Sequence, residues 1–366
     1  MTLILSNDDV AELLPMRECI DVLEEAYVEL SEGRGVSRVR SDCLVPAAGG
    51  DAIYSLKSMD GVVPKLGIGA VRIDSDIVTW PKSGGDLRRV KVPAAPGRRY
   101  VGLVLLFSTE SGEPLAILPD GVMQRIRVGA ANGLGVKYLA RKDAKSVGIL
   151  GSGWQAGTQL TAVCAVRKIE TICCFSPNRE HCAAFAKEMT GVLRIDVVPA
   201  ATAEEAVAAA DIAMCATNSI EPVFFARWIV PGMHLSAIKL PEIEGAAVAR
   251  ADRLVIHTHD SKPLHVTAKG LAVPETGEGK GWAAGRGIDF DRVPTLADLI
   301  AGKASGRGAG GGGAGAGADR EVTCFINNLG LGYQFAAAGA VVYRNARQRG
   351  LGRELPTDWL TQDVHP

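Results

Sequence analysis

Aromatic residues and an excess charge of either sign are both scarce in this chain of 366 residues. Phe, Trp and Tyr make up only 5% of it, and 40 basic residues face 41 acidic ones, so the formal net charge is -1. A balanced chain lacks the single-sign field that holds nucleic acid or an anionic membrane surface. The apolar runs are short and interrupted, well below the roughly 20 residues of a membrane span. We therefore expect neither nucleic acid nor a membrane as partner.

Cysteines and histidines at metal-ligand spacing are also missing. The eight cysteines include no C-x-x-C pair and the six histidines form no cluster with them, so we predict no metal site. His257 and His259 are interpreted as an exposed strand end. Most cysteines stand in apolar stretches, which favours buried free thiols in a reducing compartment. The start of the chain carries Asp8 and Asp9 instead of the basic residues of a secretory signal, so we expect a cytoplasmic protein.

Glycine is the residue in excess, at 43 of 366 positions, against a usual share of about 7%. Eight of these glycines lie in the tract 306–318. This tract offers no side chains to bury and is predicted to be a flexible surface loop. The remaining glycines are distributed through the rest of the chain, where individual turns give them a purpose.

The first third of the chain mixes one helical segment with short β-rich runs. Apolar residues at three- and four-residue spacing predict a helix over 8–32, with Asn7 as its N-cap. Glycine and proline turns separate the short runs of residues 36–107. A hairpin is predicted at 107–118, and the segment 80–100, rich in Pro, Gly and Arg, is predicted to be a surface loop.

Strands and helices alternate from residue 146 onward, after a helix at 121–140. Strands are predicted at 146–150, 169–175, 194–198, 211–216, 234–238 and 253–257, with helices at 155–167, 179–190 and 203–210. This alternation is typical of a parallel, doubly wound α/β sheet. A short helix at 295–302 and a last helix at 331–349 follow.

One motif at the first of these strand-to-helix turns indicates a cofactor. Gly151, Ser152, Gly153, Trp154, Gln155 and Ala156 form a G-x-G-x-x-A sequence directly after the strand 146–150. The first glycine permits a tight turn, the second lets the backbone approach a pyrophosphate, and the small last residue allows close packing of helix on strand. The N-terminus of the helix then offers N–H groups to the phosphates. The context predicts dinucleotide binding.

The end of the second strand bears on the choice of dinucleotide. NAD-binding proteins usually place an acidic residue there for the ribose hydroxyl groups. In this chain Ser176, Asn178 and Arg179 stand at that point, and no acid occurs before Glu180. Arg179 can pair with a 2′-phosphate. We therefore favour NADP(H), with NAD(H) as the alternative, and expect Ser176, Asn178 and Arg179 to contact the cofactor.

Four cations outside the motif are candidates for holding an anionic substrate. They are Arg40, Lys57, Arg72 and Arg127. An arginine side chain binds a carboxylate through two parallel hydrogen bonds. Taken alone, each of these residues is more often a surface charge than a substrate contact.

Several segments together resemble the ornithine cyclodeaminase/mu-crystallin family, over nearly the whole chain. They are Leu5–Val10, the Arg40 region, Arg127–Ala131, Gly148–Ala156, Ala216–Ser219, Pro231–His234, Phe325–Gly330 and the terminal helix. The resemblance implies two domains. A substrate-binding and dimerisation domain of α+β type would combine residues 1–125 and 331–366, and a Rossmann domain, 126–330, would bind NAD(P). It also implies a homodimer.

Residue roles follow from the resemblance by matching position. Arg40 and Arg127 would hold the substrate carboxylate. Arg72 falls where the family has a substrate-binding lysine, although Lys57 could share that role. Arg127, Lys57 and Arg72 are thus the candidate catalytic residues, and Thr217 and Asn218 join the cofactor-binding set.

Departures from the family pattern bear on the reaction. Cyclodeaminases resemble one another in an Asp shortly after a G-x-H segment, whereas this chain has Lys239, Leu240 and Pro241 there and matches only the later Glu, as Glu242. An acid expected near the last helix is replaced by Gln334 or Phe335. Loss of the Asp removes the obvious general base for deamination and ring closure.

The leading hypothesis is therefore an NAD(P)H-dependent oxidoreductase. It would reduce a carboxylated imine, a ketimine or imino acid, to an amino acid, with Lys57 or Lys239 as a candidate proton donor. Two alternatives stay open. One is a redox-neutral ornithine cyclodeaminase that forms proline and ammonia, and the other is a non-enzymatic protein that binds NADPH and a small ligand.

Overall fold

The computed structural model describes residues 1–48, 51–83, 86–87, 90–208, 210–219, 221–260, 263–273, 287–308 and 317–363. Its strands are β1 Thr2–Ile4, β2 Val36–Ser37, β3 Ser41–Pro46, β4 Ile53–Val63, β5 Ile68–Thr79, β6 Lys82–Ser83, β7 Asp86–Leu87, β8 Val90–Val92, β9 Val101–Ser108, β10 Pro114–Pro119, β11 Ser146–Leu150, β12 Thr171–Phe175, β13 Val197–Pro199, β14 Ile212–Cys215, β15 His234–Ala237, β16 Arg253–Ile256, β17 Leu264–Thr267, β18 Thr323–Ile326 and β19 Arg353–Leu355. Its α-helices are α1 Asn7–Leu13, α2 Met16–Ser31, α3 Gly121–Leu139, α4 Trp154–Val166, α5 Arg179–Leu193, α6 Ala203–Val207, α7 Gly245–Val248, α8 Leu296–Ile300 and α9 Tyr333–Arg349.

The chain divides into two compact units. Unit 1 comprises Met1–Gln124, Lys262–Thr276 and Leu331–Pro366, and unit 2 comprises Arg125–Ser261 and Gly277–Gly330. The sequence-based boundaries at 125/126 and 330/331 remain a prediction. Unit 1 also takes in β17, which pairs in parallel with β3 and which no pattern in the sequence assigned to it.

Unit 1 is a largely antiparallel sheet covered by helices. Its strand order is β17-β3-β4-β5-β9-β10-β1-β19, with β2 paired to β4 and β8 to β5. Along β4 and β5 buried residues alternate with more exposed ones, so one face is buried and the other is not. Helix α9 packs on the buried face, where Gly339 lets it approach Leu106 of β9 closely. The predicted hairpin is confirmed as β9 and β10.

The first helical segment differs from its prediction. Pro15 divides it into α1 and α2, because a proline cannot donate the hydrogen bond that would continue α1. The N-cap is Ser6 rather than Asn7. Ser6 and Asp9 form a reciprocal capping box, in which each side chain accepts from the other residue's backbone N–H.

Unit 2 contains the parallel sheet that the alternating pattern predicts. Its strand order is β13-β12-β11-β14-β15-β18-β16, and every pair is parallel. The order reverses between β12-β11 and β14-β15, as in a Rossmann sheet. Strands β14, β15 and β18 are buried throughout, because helices cover both faces. The predicted α/β class is confirmed.

The described parts of two segments predicted as loops are more structured than expected. Within 80–100, strand β8 pairs with β5, because Val90 and Val92 extend the sheet edge. In the tract 306–318, residues 309–316 lie outside the described residues. Arg307 in that tract is not a loose loop residue, since its guanidinium donates to the carbonyl groups of Leu139, Gly232 and Glu321, among others.

Candidate functional site

A cleft of about 600 Å³ opens at the carboxyl ends of the strands of unit 2. Its walls come from the residues that follow β11, β12, β14 and β15, at the point where the strand order reverses. In open α/β sheets this is where ligands bind. Lining residues predicted for the cofactor are Gly151, Ser152, Gly153, Trp154, Gln155, Ser176, Thr217 and Asn218.

The two glycines of the motif have different reasons to be glycine. Gly151 has a φ of +114°, and a Cβ there would overlap the carbonyl oxygen of Ala216. A Cβ on Gly153 would meet nothing within 4 Å, so the absent side chain leaves open space in front of α4. Gly153 is the N-cap of α4 and supplies no side-chain cap. Ala156 is fully buried beneath this turn.

These features fit a dinucleotide pyrophosphate. The first N–H groups of α4 have no side-chain cap, and the helix dipole favours an anion at that end. A phosphate beside Gly153 would occupy the open space that a Cβ would otherwise fill. Gly151 to Ala156 would hold it, and the dinucleotide would supply a nicotinamide ring as hydride carrier.

The residues after β12 form the other end of the cleft. Ser176, Pro177 and His181 line it. Asn178 caps α5, because its Oδ1 accepts from the backbone N–H of His181 at 2.9 Å. Arg179 begins α5 and is exposed. Asn178 and Arg179 are thus beside the cleft rather than among the residues that line it.

Glu242 fixes the wall of the cleft on the opposite side. Its Oε1 accepts from the backbone N–H and the hydroxyl of Thr217 at 2.5 and 2.8 Å, and its Oε2 accepts from the N–H of Ile238 at 3.1 Å. Thr217 and Ile238 both line the cleft. Burial raises the pKa of Glu242, against the opposing effect of the Thr217 hydrogen bonds. Glu242 therefore joins the loops that follow β14 and β15.

Arg127 is also buried in unit 2, on α3. Its guanidinium lies directly against Gly330, where any side chain would overlap it. His257 is buried nearby and bonds through Nδ1 to the carbonyl oxygen of Leu329. Burial lowers the pKa of His257 to about 4, and the charge of Arg127 adds to that effect. The expectation of an exposed strand end is therefore wrong for His257, because the loop 327–330 covers it.

The other cations predicted for the substrate lie in unit 1 and face carboxylates. Lys57 on β4 and Arg72 on β5 project from the buried face of the sheet. Lys57 forms an ion pair with Asp76. Arg72 donates to Asp120 from Nε at 2.8 Å and from Nη2 at 2.6 Å, and its Nη2 lies 2.5 Å from Asp74.

Arg40 lies in the same unit, just before β3. It forms two parallel bonds with Asp42, both of 2.9 Å. His265 on β17 lies 3.6 Å from the same carboxylate. Arg40, Lys57 and Arg72 thus all lie in unit 1, and each is paired with an aspartate. Arg127 belongs to unit 2.

The partners of these cations were missed in the sequence. They are Asp42, Asp74, Asp76 and Asp120. A signal did exist, because Arg72, Asp74 and Asp76 stand at alternate positions, and alternate residues of a strand share a face. The structure extends that strand to Thr79, as β5. The residues suspected of replacing a family acid have other roles. Gln334 accepts from the N–H of Leu331 and donates to Tyr27, and the ring of Phe335 lies 5.6 Å from the Arg72 guanidinium.

Two searches over the described residues give negative findings. No helix among them is long and apolar enough to cross a membrane. They also contain no group of three or more His, Cys, Asp or Glu side chains arranged to hold a metal ion.

A parallel sheet with a glycine turn at its switch point defines a Rossmann-type dinucleotide-binding fold. The sequence model of the ornithine cyclodeaminase/mu-crystallin family matches residues 93–349. The chain belongs to that family, as the sequence resemblance indicated.

Several relatives match over almost their whole length. A Delta(1)-pyrroline-2-carboxylate reductase of Bacillus cereus is 27% identical over 96% of this chain and 99% of its own. An alanine dehydrogenase of Archaeoglobus fulgidus is 27% identical over 97% of this chain and 98% of its own. Among solved structures, the Thermococcus litoralis Delta(1)-pyrroline-2-carboxylate reductase in complex with NADH and L-proline is 28% identical, with a TM-score of 0.75, over 97% of this chain and 100% of that one.

Proposed function

We propose that this chain is an NAD(P)H-dependent oxidoreductase that reduces a carboxylated imine to an amino acid. The cleft at Gly151 and Gly153 carries this proposal, because its shape, and not only its sequence motif, fits a dinucleotide. The end-to-end match with reductases of a cyclic imino acid supports the substrate class. The missing Asp after His234 favours reduction over deamination.

The residues of this chain bind and orient the substrate. Arg127 and Arg40 are proposed to hold its carboxylate, and Arg72 and Lys57 to contact its reacting end. Arg40 already pairs with Asp42, so a substrate carboxylate would share or replace that partner. Holding the imine in one orientation lowers the entropic part of the barrier. The bound dinucleotide supplies the hydride.

NADP(H) is the proposed cofactor, with NAD(H) as the alternative. Support comes from the end of β12, where Ser176 lines the cleft and Arg179 is exposed at the start of α5. We expect Arg179→Ala to weaken NADPH binding by about 5- to 20-fold, as for loss of one charge-assisted contact, and to leave NADH binding unchanged. Equal loss for both cofactors, measured by fluorescence titration, would remove this assignment.

A homodimer in the cytoplasm is the proposed assembly. The uncovered face of the unit 1 sheet supports it, because one cross-strand row there is largely apolar: Val266, Cys43, Leu56, Ser75 and Val101. Leu56 is 41% exposed and Val266 is 52% exposed. Apolar patches of this kind on a surface mark contact sites. We expect light scattering to give a dimer that Leu103→Asp on the same face converts to monomer, and a monomeric wild type would contradict the proposal.

The activity is tested by oxidation of NADPH and NADH with preformed cyclic imino acids and with 2-oxo acids plus ammonia or methylamine. We expect turnover with at least one carboxylated imine and a large rise of KM for it in Arg127→Ala. Proline and ammonia formed from ornithine without added cofactor would instead indicate a cyclodeaminase. Tight NADPH binding without turnover across the panel would indicate a binding protein.

A further inference from the structure

Glu242 is fully buried next to the cofactor cleft of unit 2, although no motif in the sequence gives it a function. It ends a short 3-10 turn, Leu240–Glu242, which follows β15 and in which Pro241 is also buried. The turn lies in the segment where this chain departs from the cyclodeaminase pattern. It returns the Glu242 side chain to the carboxyl end of the sheet, where its Oε2 meets the N–H of Ile238.

Three residues that line the cleft donate hydrogen bonds to Glu242. Its carboxylate accepts from the backbone N–H and the hydroxyl of Thr217 and from the N–H of Ile238. Its backbone carbonyl oxygen accepts from the N–H of Val223 at 2.8 Å. Thr217, Val223 and Ile238 all line the cleft. One buried residue therefore connects the chain that follows β14 with the chain that follows β15.

The hydroxyl group of Thr217 is used in this connection. A threonine hydroxyl has one proton to donate. Thr217 donates it to Oε1 of Glu242 at 2.8 Å, and its oxygen accepts from the N–H of Ser219 at 3.2 Å. The hydroxyl is therefore not a donor to a bound dinucleotide while Glu242 holds it. The methyl group of Thr217 faces the glycine turn, since it lies 3.3 Å from the position of a Cβ on Gly151.

A carboxylate suits this position because all the groups that meet its two oxygens are donors. A glutamine has one acceptor oxygen and one NH2 group. In either orientation that NH2 group would face an N–H, of Thr217 or of Ile238. The Ile238 N–H has a second acceptor, the carbonyl oxygen of Cys215 at 3.2 Å. Opposed donors cost free energy unless the chain moves, so Glu242→Gln should displace the wall of the cleft.

Asp211 offers a comparison at the opposite edge of the same sheet. Its Oδ2 accepts from the N–H groups of Lys145 and Ser146 at 2.8 and 3.0 Å, and from the hydroxyl of Ser146 at 2.9 Å. It thereby joins the beginnings of β11 and β14, away from the cleft. Asp211 and Glu242 thus make similar hydrogen bonds between neighbouring strands and differ in their position relative to the cleft.

We propose that Glu242 is a positioning residue for the dinucleotide. It holds Thr217 against the glycine turn and Ile238 across from it, and so fixes the wall of the cleft without touching the cofactor. This inference rests on the proposed function and adds a residue to its cofactor site. Thr217, which the sequence places among the cofactor contacts, serves with its hydroxyl group as part of the same anchor.

The test measures the Kd of NADPH and of NADH by fluorescence titration. We expect Glu242→Gln to raise both by about 10-fold or more, because both dinucleotides use the same wall. In steady-state reduction of an imine, the KM for the cofactor should rise by a larger factor than kcat falls. Asp211→Asn is the matched control. It should unfold at lower denaturant concentration than the wild type but keep each Kd within about twofold, since it is remote from the cleft.

Thr217→Val gives an independent readout, because it removes the hydroxyl group and keeps the branched shape. It should raise the Kd of both dinucleotides by about 3- to 10-fold, and this variant decides if Glu242→Gln does not fold. The double variant should bind more tightly than the product of the two single effects predicts, since both changes remove one hydrogen bond.

Three results would overturn the proposal. They are an unchanged Kd in folded Glu242→Gln, an equal rise of Kd in Asp211→Asn, and independent effects of Glu242→Gln and Thr217→Val. A wild type that binds neither NADPH nor NADH would instead refute the proposed function.

Discussion

Unit 1 and unit 2 bury polar side chains in different ways. On the sheet of unit 1 the buried groups are ions held in pairs, such as Lys57 with Asp76 and Arg72 with Asp120. In unit 2 the buried histidines are kept neutral. Burial lowers the pKa of His234 to about 3 and that of His257 to about 4. The first arrangement depends on side chains meeting across strands, and the second on neutral hydrogen bonds and backbone geometry.

This difference has a functional meaning under the proposed reaction. On a face of paired charges, a substrate carboxylate or iminium can replace one member of an ion pair, and the net charge of the face then changes little. The cofactor edge of unit 2 instead offers N–H groups and empty space, which suit a large anion. Substitutions in the two units should therefore have different effects, and variants can test the two units separately.

The largest effect is expected from Arg72→Met in unit 1. Removal of this cation leaves Asp74 and Asp120 buried without their shared partner, which costs about 3–5 kcal/mol of unfolding free energy. Arg292→Met is the matched control, since that side chain is 87% exposed, and should change stability by less than about 0.5 kcal/mol. Denaturant unfolding measures both. Equal stability of the two variants would show that the paired charges of unit 1 contribute nothing.

A smaller effect is expected from Gly151→Ala in unit 2. The φ of +114° and the overlap with the Ala216 carbonyl oxygen would force the turn to move, at a cost of about 1–3 kcal/mol. We expect the Kd for the dinucleotide to rise by roughly 10- to 100-fold. Gly191→Ala serves as control, because its Cβ meets nothing within 4 Å on α5. Unchanged affinity of Gly151→Ala in a fluorescence titration would refute the proposed pyrophosphate site at this turn.

The smallest effect is expected from His234→Gln, measured as a change in the slope of unfolding free energy against pH. The pKa of His234 is about 3 in the folded state and 6.5 when unperturbed. As the pH falls below about 6.5 the unfolded chain gains a proton that the folded chain does not, so stability falls by about 1.4 kcal/mol per pH unit. His234→Gln should lose this contribution, and exposed His259→Gln should keep it. Denaturant unfolding at several pH values between about 6.5 and 4.5 measures these slopes. Identical slopes for the wild type and His234→Gln would contradict the burial of His234 in its neutral form.

The glycine turn of unit 2 was predictable because its information is local. Gly151, Gly153 and Ala156 stand in one turn between a strand and a helix, so spacing alone indicates their use. The alternation of strands and helices in unit 2 was predictable for the same reason. Its errors are shifts at element ends, such as β13 beginning at Val197 rather than at 194, and two missed elements, helix α7 and strand β18. Strand β18 lies between β15 and β16 in the sheet but stands outside the alternating run of the sequence.

The charged face of unit 1 was only half predictable. Arg72 and Lys57 were singled out with the help of the resemblance. Their carboxylate partners depend on the register of β4 against β5, and on the position of Asp120, whose backbone N–H donates to the carbonyl oxygen of Gly102 on β9. That register is a tertiary property that no single stretch of sequence contains. His257 was misinterpreted for a similar reason, since the loop that covers it is about 70 residues away in the chain.

The most direct test of this account is one measurement of cofactor oxidation. Wild-type protein is mixed with NADPH and pyrroline-2-carboxylate or another preformed cyclic imino acid, and the loss of cofactor absorbance is compared with formation of the amino acid. The account predicts equal amounts of oxidised cofactor and amino acid, with Arg127→Ala strongly impaired. Oxidation of neither NADPH nor NADH with any carboxylated imine would contradict it.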